Sequence, residues 1–293
     1  MRIVFAGCRN AGYECLKYLI EQGEEIVAVL TSYDLDENPR WSKSVGELAN
    51  KHKLPIITEY EGLKYEHKLK GDVLFSVYYH KKFSKDFLSN FKMAINFHGG
   101  KLPEYKGAFS NIYSILHNEK TTASTAHFME TELDGGDIID EEEVPIDENE
   151  IGSSLYFKIS DATIIVFKRI YERLKTNGIL SHKPIGESHT YKRILPNNGN
   201  IDWSKSAKEV CTFIRALNFR PLQPAKSYLK GEEYHFYTAK IVDFDYEAEP
   251  GQFCEGTEKG EIVIKTGKGC IYAENIEKKG ETGFSLTLGD KFE

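Results

Sequence analysis

The sequence lacks the features that mark disulfide-stapled, zinc-binding or membrane-spanning proteins. Its five cysteines are an odd number, lie far apart and include no Cys-x-x-Cys pair, which argues against a disulfide framework or a zinc site. No window approaches the roughly 18 consecutive apolar residues of a membrane span. The apolar start over residues 1–7 is too short for a signal peptide. We therefore predict a soluble chain in the reducing cytoplasm, with no membrane association.

The sequence also lacks a strong surplus of either charge. Its 38 basic and 45 acidic residues leave a net charge of −7 over 293 residues, and 40% of the residues are hydrophobic. This composition is that of an ordinary globular protein, long enough for one large domain or two ordinary ones. A protein whose main role is to bind nucleic acid needs more basic than acidic residues. The balance therefore argues against nucleic acid as the main partner.

A strand–helix–strand pattern opens the chain. Residues 3–6 and 26–30 are short continuous apolar runs, typical of strands buried on both faces, and the segment 11–21 between them has apolar residues at helical spacing. This order predicts parallel strands joined by a right-handed crossover. Further apolar runs at 72–79 and 93–96 extend it. We predict an α/β fold with a Rossmann-like, mostly parallel sheet and helices on both faces.

The pattern changes after a polar turn cluster at residues 195–200. Beyond a helix predicted over 207–217, short β-like runs alternate with glycines, as in a small antiparallel barrel or sandwich. We predict a catalytic domain over 1–196 and a smaller, β-rich, barrel-like domain over 197–293. The second carries 13 basic and 16 acidic residues and is a candidate surface for a homodimer.

The turn at residues 7–12 invites comparison with a dinucleotide-binding loop, but it lacks the middle glycine. A Gly-x-Gly-x-x-Gly motif would need glycine where Arg9 stands, and no acidic residue closes the second strand. Gly7 and Gly12 are explained by a tight turn into a helix, so bound NAD is not predicted. Arg9 and Asn10 at the start of that helix are predicted to contact substrate.

The residues best suited to chemistry follow the strand predicted at 93–96. Asn96 and His98 are two residues apart in an extended segment and so point to the same side, while Gly99 and Gly100 would let another molecule approach the backbone closely. An imidazole can exchange a proton near neutral pH, a buried carboxylate such as Asp134 can orient it, and a carboxamide can donate to a developing oxyanion. This set predicts acyl transfer to an amine by direct attack.

Each of these residues also has a simpler explanation. A single histidine beside glycines often bonds only to backbone, and an aspartate before two glycines is common in ordinary turns. The Asp-Gly-Gly-Asp run at 134–137, followed by glutamates at 141–143, lacks the alternate-ligand spacing of an EF-hand calcium loop, so no metal is expected. The spacing of His80, His117 and His127 predicts structural roles for them.

Three motifs together resemble the signature of the folate-dependent formyltransferases. Their order and spacing match that family, and the segments 190–191, 201–203 and 214–217 resemble the linker and second-domain start of its two-domain members. The motifs are Asn96-x-His98, Leu102-Pro103-x-Tyr105-Lys106-Gly107 and Leu133-Asp134-x-Gly136-Asp137-Ile138.

The resemblance implies 10-formyltetrahydrofolate as donor and a catalytic trio of Asn96, His98 and Asp134. It also implies that the donor's pterin lies against the segment after the third strong strand and against the loop before the catalytic aspartate. The predicted donor contacts are Lys81, Lys82, Phe83, Glu130, Leu133 and Asp137. The predicted acceptor contacts are Arg9, Asn10, Lys101, Tyr105 and Lys106.

The acceptor is suggested by a further motif, Phe75-Ser76-x-Tyr78-Tyr79. It is similar to that of family members acting on nucleotide-linked 4-amino sugars, so we predict formylation of a nucleotide-linked amino deoxysugar. The chain departs from those members at Ala108, where they often have arginine, and at Gly100-Lys101, where many have Ser-Leu.

The first alternative is a methionyl-tRNA formyltransferase, which would need a basic loop and a basic second domain. The loop 31–44 has a net charge of −1 and the second domain one of −3, so this alternative is less favoured. Hydrolysis of the folate donor without an acceptor, and a catalytically silent folate-binding scaffold, are the remaining hypotheses.

Overall fold

The computed structural model describes residues 1–32, 41–58, 69–176, 178–219, 224–256, 262–281 and 285–293. They form two compact units: Met1–Ser110, Thr121–Pro145 and Tyr156–Lys192 make the first, and Asn111–Lys120, Ile146–Leu155 and Arg193–Glu293 make the second. Most of the charged loop 31–44 lies outside the described residues. The predicted division between residues 196 and 197 stays a prediction. No helix within the described ranges is long and apolar enough to cross a membrane.

The strands of the first unit build one large sheet and one short pair. They are β1 (Arg2–Gly7), β2 (Glu25–Thr31), β3 (Ile56–Thr58), β4 (Gly71–Val77), β5 (Phe91–His98), β6 (Lys106–Gly107), β7 (Thr121–Phe128), β8 (Ile138–Pro145) and β9 (Thr190–Tyr191). The large sheet has the order β3-β2-β1-β4-β5-β7-β8. Its first five strands are parallel, and β7 and β8 are antiparallel to their neighbours. Strands β6 and β9 pair separately.

Both faces of the large sheet are covered, as its continuous apolar strands require. Within β1, alternate residues enter opposite clusters, Ile3 and Phe5 on one face and Val4 and Ala6 on the other. The described helices are α1 (Arg9–Glu21), α2 (Val45–Lys51), α3 (Lys85–Leu88), α4 (Ser110–Leu116), α5 (Gly152–Thr176) and α6 (Ala207–Ala216). Residues of α1, α2 and α5 cover the first face, and α3 packs on the second. The predicted α/β sheet is confirmed.

The strands of the second unit are all antiparallel to their neighbours. They are β10 (Ala225–Leu229), β11 (Glu232–Phe236), β12 (Ala239–Ile241), β13 (Phe253–Gly256), β14 (Ile262–Lys265), β15 (Cys270–Ala273) and β16 (Ile276–Lys278). They form a three-stranded sheet, β10-β11-β16, and a four-stranded sheet, β12-β15-β14-β13. Helix α6 begins at a capping box in which the side chains of Ser206 and Glu209 each accept from the other's backbone N–H. The β-rich second part is confirmed.

The environment of strand β7 differs from the one that its sequence predicts. Its alternation of apolar and polar residues predicts a strand exposed on one side, but residues 122–127 are all buried. The prediction was wrong because the polar side chains on this strand bond to protein groups instead of water. Thr125 Oγ1, for example, donates to the Gly100 carbonyl at 2.8 Å. The strand therefore supports the segment that carries the predicted catalytic residues.

Candidate active site

The predicted site residues lie at the carboxyl edge of the parallel strands. Strands β1, β4 and β5 run in register, with Gly7 opposite Val77 and Val77 opposite Phe97, so the turns that follow them meet at one edge. Ligands of open α/β sheets bind at this edge. The turns after residues 6, 79 and 96 therefore lie at this edge.

Asp134 is the centre of a polar cluster that contains Asn96 and His98. Its Oδ2 lies 3.5 Å from His98 Nδ1 and accepts from the Gly107 backbone N–H at 2.8 Å. Its Oδ1 accepts from Asn96 Nδ2 at 3.4 Å. Each carboxylate oxygen thus faces one member of the predicted trio, and the fold brings all three residues together.

The surroundings of Asp134 keep its carboxyl ionised. Burial opposes ionisation, but the positive charge that His98 carries when protonated and the Gly107 N–H outweigh it and hold the pKa of this carboxyl well below its usual range. The backbone φ of Asp134 is 50°, in the left-handed region that aspartate enters more readily than most residues. A depressed pKa makes this carboxylate a fixed negative charge at neutral pH.

Both ring nitrogens of His98 face protein acceptors. Nε2 lies 2.7 Å from the Tyr105 carbonyl oxygen, which can only accept, so this nitrogen carries a hydrogen and donates it. Nδ1 faces Asp134 Oδ2. An imidazolium would satisfy both contacts at once, and the ring is only 8% exposed. The two contacts therefore suit an imidazolium ring at His98.

A second histidine, His127, belongs to the same cluster. It lies opposite Asn96 in the pairing of β5 and β7, with its Nε2 3.0 Å from Asn96 Nδ2 and 3.5 Å from Asp134 Oδ1. The sequence-based prediction of a purely structural residue therefore missed a direct contact to the trio. The alternation of Thr125 and His127 puts both on one side of their strand, but the sequence carries no signal that pairs this strand with Asn96 and His98. Among the described residues, no three His, Cys, Asp or Glu side chains are arranged to hold a metal ion.

The backbone that follows the catalytic strand is held by side-chain hydroxyl groups. The three consecutive carbonyls of residues 98–100 each accept one hydroxyl, donated in order by Ser124 at 3.4 Å, by Ser110, and by Thr125 at 2.8 Å. All three donors are buried. Because a buried carbonyl without a partner costs free energy, these hydroxyls fix the path of the chain beneath His98.

The glycines of this turn have a different purpose from the one the sequence suggests. A Cβ on Gly100 would lie 2.7 Å from Ser110 Cβ and 2.9 Å from His98 Nε2, and one on Gly99 would lie 2.9 Å from Tyr78 Oη. The close approach predicted for a bound molecule is made here by the protein's own side chains. The glycines are needed because the turn is packed from both sides.

The role of these hydroxyls is testable with Thr125→Val, which keeps the shape of a fully buried side chain but removes its donor. We expect the free energy of unfolding to fall by about 1–3 kcal/mol, because the Gly100 carbonyl loses its partner. Chemical denaturation measures the change. The matched control is Thr121→Val at the start of the same strand, where the hydroxyl makes only a 3.4 Å contact to Glu143. An equal loss in both variants would contradict the assignment.

The predicted donor contacts lie along one face of the sheet. Phe83 is 9% exposed and stacks on Tyr79 in the core cluster of the second face, and Met129 packs against the same cluster. Lys82 and Glu130 are exposed, whereas Lys81 and Leu133 are half-buried. Asp137 is ion-paired with Lys183 at 2.7 Å. The segments 79–83 and 129–137 are therefore anchored on the same face, with the Phe83 ring itself turned into the core.

The predicted acceptor contacts fall into two groups. Arg9 and Asn10 lie at the start of α1, where Asn10 Oδ1 accepts from the Lys43 backbone N–H at 2.8 Å. Lys101 pairs with Glu104 at 3.7 Å, and the Lys106 Nζ donates to Glu132 at 2.8 Å. The Tyr105 ring stacks on Tyr191, and its carbonyl meets His98.

A row of aromatic side chains extends from Arg9 towards the catalytic turn. The Arg9 guanidinium carbon lies 4.5 Å from the centre of the Trp41 ring. Trp41, Tyr156 and Phe157 pack edge to face, and Tyr156 also contacts Tyr78 with ring centres 5.8 Å apart. We call Trp41, Tyr156, Phe157 and Tyr78 the aromatic row. The sequence-based analysis did not identify it, because its members come from three separate segments.

Two protein-family profiles match this chain: Formyl transferase over residues 46–170, and Formyl transferase, C-terminal domain over residues 193–286. A methionyl-tRNA formyltransferase of Sulfurihydrogenibium sp. (strain YO3AOP1) is 31% identical, with 100% of both chains covered. The bifunctional polymyxin resistance protein ArnA of Wigglesworthia glossinidia brevipalpis is 31% identical over 86% of this chain and 39% of its own length.

A solved structure has the same fold. The crystal structure of an N-formyltransferase from Helicobacter canadensis in complex with folinic acid and dTDP-3-aminofucose superimposes with a TM-score of 0.73 and 24% sequence identity. The match covers 93% of this chain and 98% of that one.

Proposed function

The chain belongs to the formyltransferase family, and from this premise we propose that it transfers the formyl group of 10-formyltetrahydrofolate to the amine of a nucleotide-linked amino deoxysugar. The enzyme class and the folate donor follow from the family. The acceptor is the proposed part. A cytoplasmic location and a homodimer remain predictions that accompany it.

The observation that carries the proposed acceptor is the aromatic row with Arg9 at its end. Aromatic faces stack on nucleobases or sugar rings, and a guanidinium pairs with the oxygens of a diphosphate. The row runs from Arg9 and Trp41 to Tyr78, and Tyr78 lies next to Gly99 in the catalytic turn. A nucleotide-linked sugar matches this order with its diphosphate at Arg9, its sugar along the row, its amine at the catalytic turn and its base beyond Arg9.

The trio supplies what formyl transfer to an amine needs. The amine nitrogen forms a bond to the formyl carbon, and the carbonyl oxygen becomes negative. The bond to the folate nitrogen then breaks, and in the net reaction the proton that the amine loses replaces the formyl group on the folate nitrogen to give tetrahydrofolate. We assign to the Asn96 amide N–H and the positive charge on His98 the stabilisation of that oxygen, because fixed donors and charges aimed at a developing oxyanion act strongly in a site away from water. Asp134 holds the His98 ring and balances its charge.

Proton removal from the amine is not assigned to Asp134. The pKa of this carboxyl is held well below its usual range, and a carboxylate with a depressed pKa is a weak general base. Its two oxygens are also occupied by His98, Asn96 and the Gly107 N–H. Asp134 therefore acts through charge and position, and the proton leaves the amine by another route.

The described residues fit a folate donor on the face opposite the aromatic row. The segments predicted to hold the pterin are residues 81–83 and 130–134, and Tyr79, Phe83 and Met129, within or beside them, belong to the core cluster of the second face. Tyr78 packs against the cluster of the first face. The donor and the acceptor would thus reach Asn96 and His98 from two sides, as direct attack requires. The Helicobacter canadensis structure, a complex with folinic acid and dTDP-3-aminofucose, supports a folate and a nucleotide-linked amino sugar as the two substrates.

A second acceptor is favoured by one specific observation. The relative from Sulfurihydrogenibium sp., a methionyl-tRNA formyltransferase, is 31% identical over the whole chain. Against it stand the acidic balance of the second domain, with 13 basic and 16 acidic residues, and the aromatic row beside the catalytic turn. A tRNA acceptor stem needs extensive neutralisation of its phosphates.

An assay with different acceptors identifies the substrate. The purified protein and 10-formyltetrahydrofolate are incubated in parallel with nucleotide-linked 3-amino and 4-amino deoxysugars, with methionyl-tRNA, or without an acceptor. We expect tetrahydrofolate release only with an amino sugar, and a product heavier by one formyl group in mass spectrometry. Formylated methionyl-tRNA without sugar turnover would refute the proposal in favour of the second acceptor. Donor consumption that is independent of any amine would identify a hydrolase.

Arg9→Gln tests the role of the aromatic row in binding the acceptor. Removal of the guanidinium should raise the KM for the nucleotide sugar about 10- to 100-fold, the effect of losing a charged hydrogen bond worth about 1.5–3 kcal/mol. The value of kcat at saturating acceptor should change little. The matched control, Arg2→Gln, removes an exposed arginine at the other end of β1, where it pairs with Glu25. A KM that rises equally in both variants, or in neither, would argue against the site.

A further inference from the structure

The position of His127 defines which tautomer of its ring is present. Its Nδ1 lies 2.8 Å from the Phe128 carbonyl oxygen. A carbonyl oxygen only accepts hydrogen bonds, so Nδ1 carries the hydrogen, and in the neutral ring Nε2 has a free lone pair. That lone pair faces Asn96 Nδ2 at 3.0 Å, a donor. Neutral His127 therefore accepts a hydrogen bond from the Asn96 amide.

The same geometry allows one amide hydrogen of Asn96 to serve two acceptors. Asn96 Nδ2 lies 3.0 Å from His127 Nε2 and 3.4 Å from Asp134 Oδ1, and these two acceptors are 3.5 Å apart. Both acceptors therefore lie on one side of the amide nitrogen, at an angle much smaller than the divergence of about 120° between the two N–H bonds of a planar amide. A hydrogen directed between the two acceptors reaches both, and in that orientation of the carboxamide the other hydrogen points away from them.

We propose that His127 is a positioning residue, which fixes the Asn96 carboxamide so that its second N–H is presented to the oxygen of the formyl group. The lone pair on Nε2 selects the nitrogen end of the amide on this side, because the oxygen end would face both that lone pair and the Asp134 carboxylate. Without His127 the Asn96 amide keeps only the longer contact to Asp134, and its orientation is no longer fixed. The ring is 2% exposed, so water does not replace it as an acceptor.

The inference rests on formyl transfer by this chain but not on the identity of the acceptor. Its central test compares His127→Leu, which removes the acceptor but keeps apolar bulk, with His127→Gln, whose carboxamide oxygen can accept from Asn96. We expect kcat to fall about 10- to 100-fold in His127→Leu, a part of the effect of deleting an oxyanion donor. The KM values for donor and acceptor should stay within about threefold, since binding does not use this contact. In His127→Gln, kcat should recover to within about tenfold of the unsubstituted enzyme.

A double-mutant cycle separates positioning from a merely structural role. In the Asn96→Ala background, His127→Leu should lower the single-turnover rate less than about twofold, because there is no amide left to position. An equal loss in both backgrounds would overturn the proposal, and so would a His127→Gln variant as slow as His127→Leu. The acceptor used is the one that the acceptor panel identifies, so a wrong sugar assignment leaves this test intact.

The tautomer gives a test that needs no catalytic turnover and no core variant. Nitrogen NMR of the protein labelled at histidine, at a pH where His127 is neutral, should show its hydrogen on Nδ1. In Asn96→Ala, the Nε2 resonance should shift, because it loses its donor. A hydrogen found on Nε2 would overturn the proposal even if His127→Leu failed to fold.

Discussion

Replacement of His98 by alanine should lower kcat for formyl transfer by about 10³-fold while the protein still folds. The loss removes the positive charge beside the reacting carbonyl, and removal of a proton-transferring or charge-stabilising side chain typically costs 10²- to 10⁴-fold. His98 is 8% exposed, and its Nε2 donates to the Tyr105 carbonyl at 2.7 Å. The unfolding free energy should fall by about 1–3 kcal/mol, the cost of an unsatisfied buried carbonyl, out of the 5–15 kcal/mol typical of a globular protein.

The comparison for this variant is His52→Ala, an exposed histidine at the end of α2. Both proteins are assayed for tetrahydrofolate release and for their midpoint of chemical denaturation. We expect wild-type turnover in His52→Ala and turnover that is about 10³-fold slower in His98→Ala. Wild-type turnover in His98→Ala would remove this residue from the proposed mechanism.

Much of the fold could be predicted because its signals are local. The apolar runs of β1, β2 and β4 are continuous, since both sheet faces are covered, and the helical spacing between β1 and β2 requires a crossover. The environment of β7 could not be predicted in the same way. Its threonine and serine residues alternate as on a solvent-facing strand, but their hydroxyls bond to backbone carbonyls of residues distant in the chain. Burial of polar residues depends on such partners, which the sequence of the strand itself does not contain.

The candidate site could likewise be predicted from the sequence only in part. Asn96 and His98 could be paired from their spacing on one strand, and the chemistry of the three side chains pointed to Asp134. His127 could not be placed, because its contact with Asn96 depends on the register of β5 against β7. The aromatic row was missed for a related reason: Trp41, Tyr78 and Tyr156 come from separate segments and meet only in the folded chain.

These contacts also explain why the cluster is rigid. Asp134 receives the Gly107 N–H, Gly107 pairs through β6 with β9, and the Lys106 side chain beside it is buried and bonded to Glu132. The loop that carries the carboxylate is thus tied to the motif that follows His98. In a site held at several points, the hydrogen-bond donors need not reorient during the reaction. Donors fixed in advance towards a developing negative charge give strong electrostatic stabilisation.

Asp134→Asn should lower kcat by about 10³-fold or more, although the shape of the side chain is kept. The amide cannot balance the charge on His98, and the equivalent change in a carboxylate that orients a catalytic histidine costs up to about 10⁴-fold. The KM for the acceptor should change much less. The matched control, Asp86→Asn, alters an exposed residue of α3. Full turnover in Asp134→Asn would show that the negative charge is not needed.

The same variant should change how stability depends on pH. The pKa of Asp134 lies well below its usual range in the folded protein, so above about pH 4 the carboxylate is ionised in both states and stabilises the fold fully. As the pH falls below about 4, the unfolded chain binds a proton that the folded chain does not, and this contribution is lost. Asp134→Asn has no such group, so its unfolding free energy should decline less steeply between about pH 4 and pH 2, by up to about 1.4 kcal/mol per pH unit. Denaturant titrations across this window measure the slopes, and parallel slopes in the two proteins would mean that the buried contacts of Asp134 do not favour its charged form.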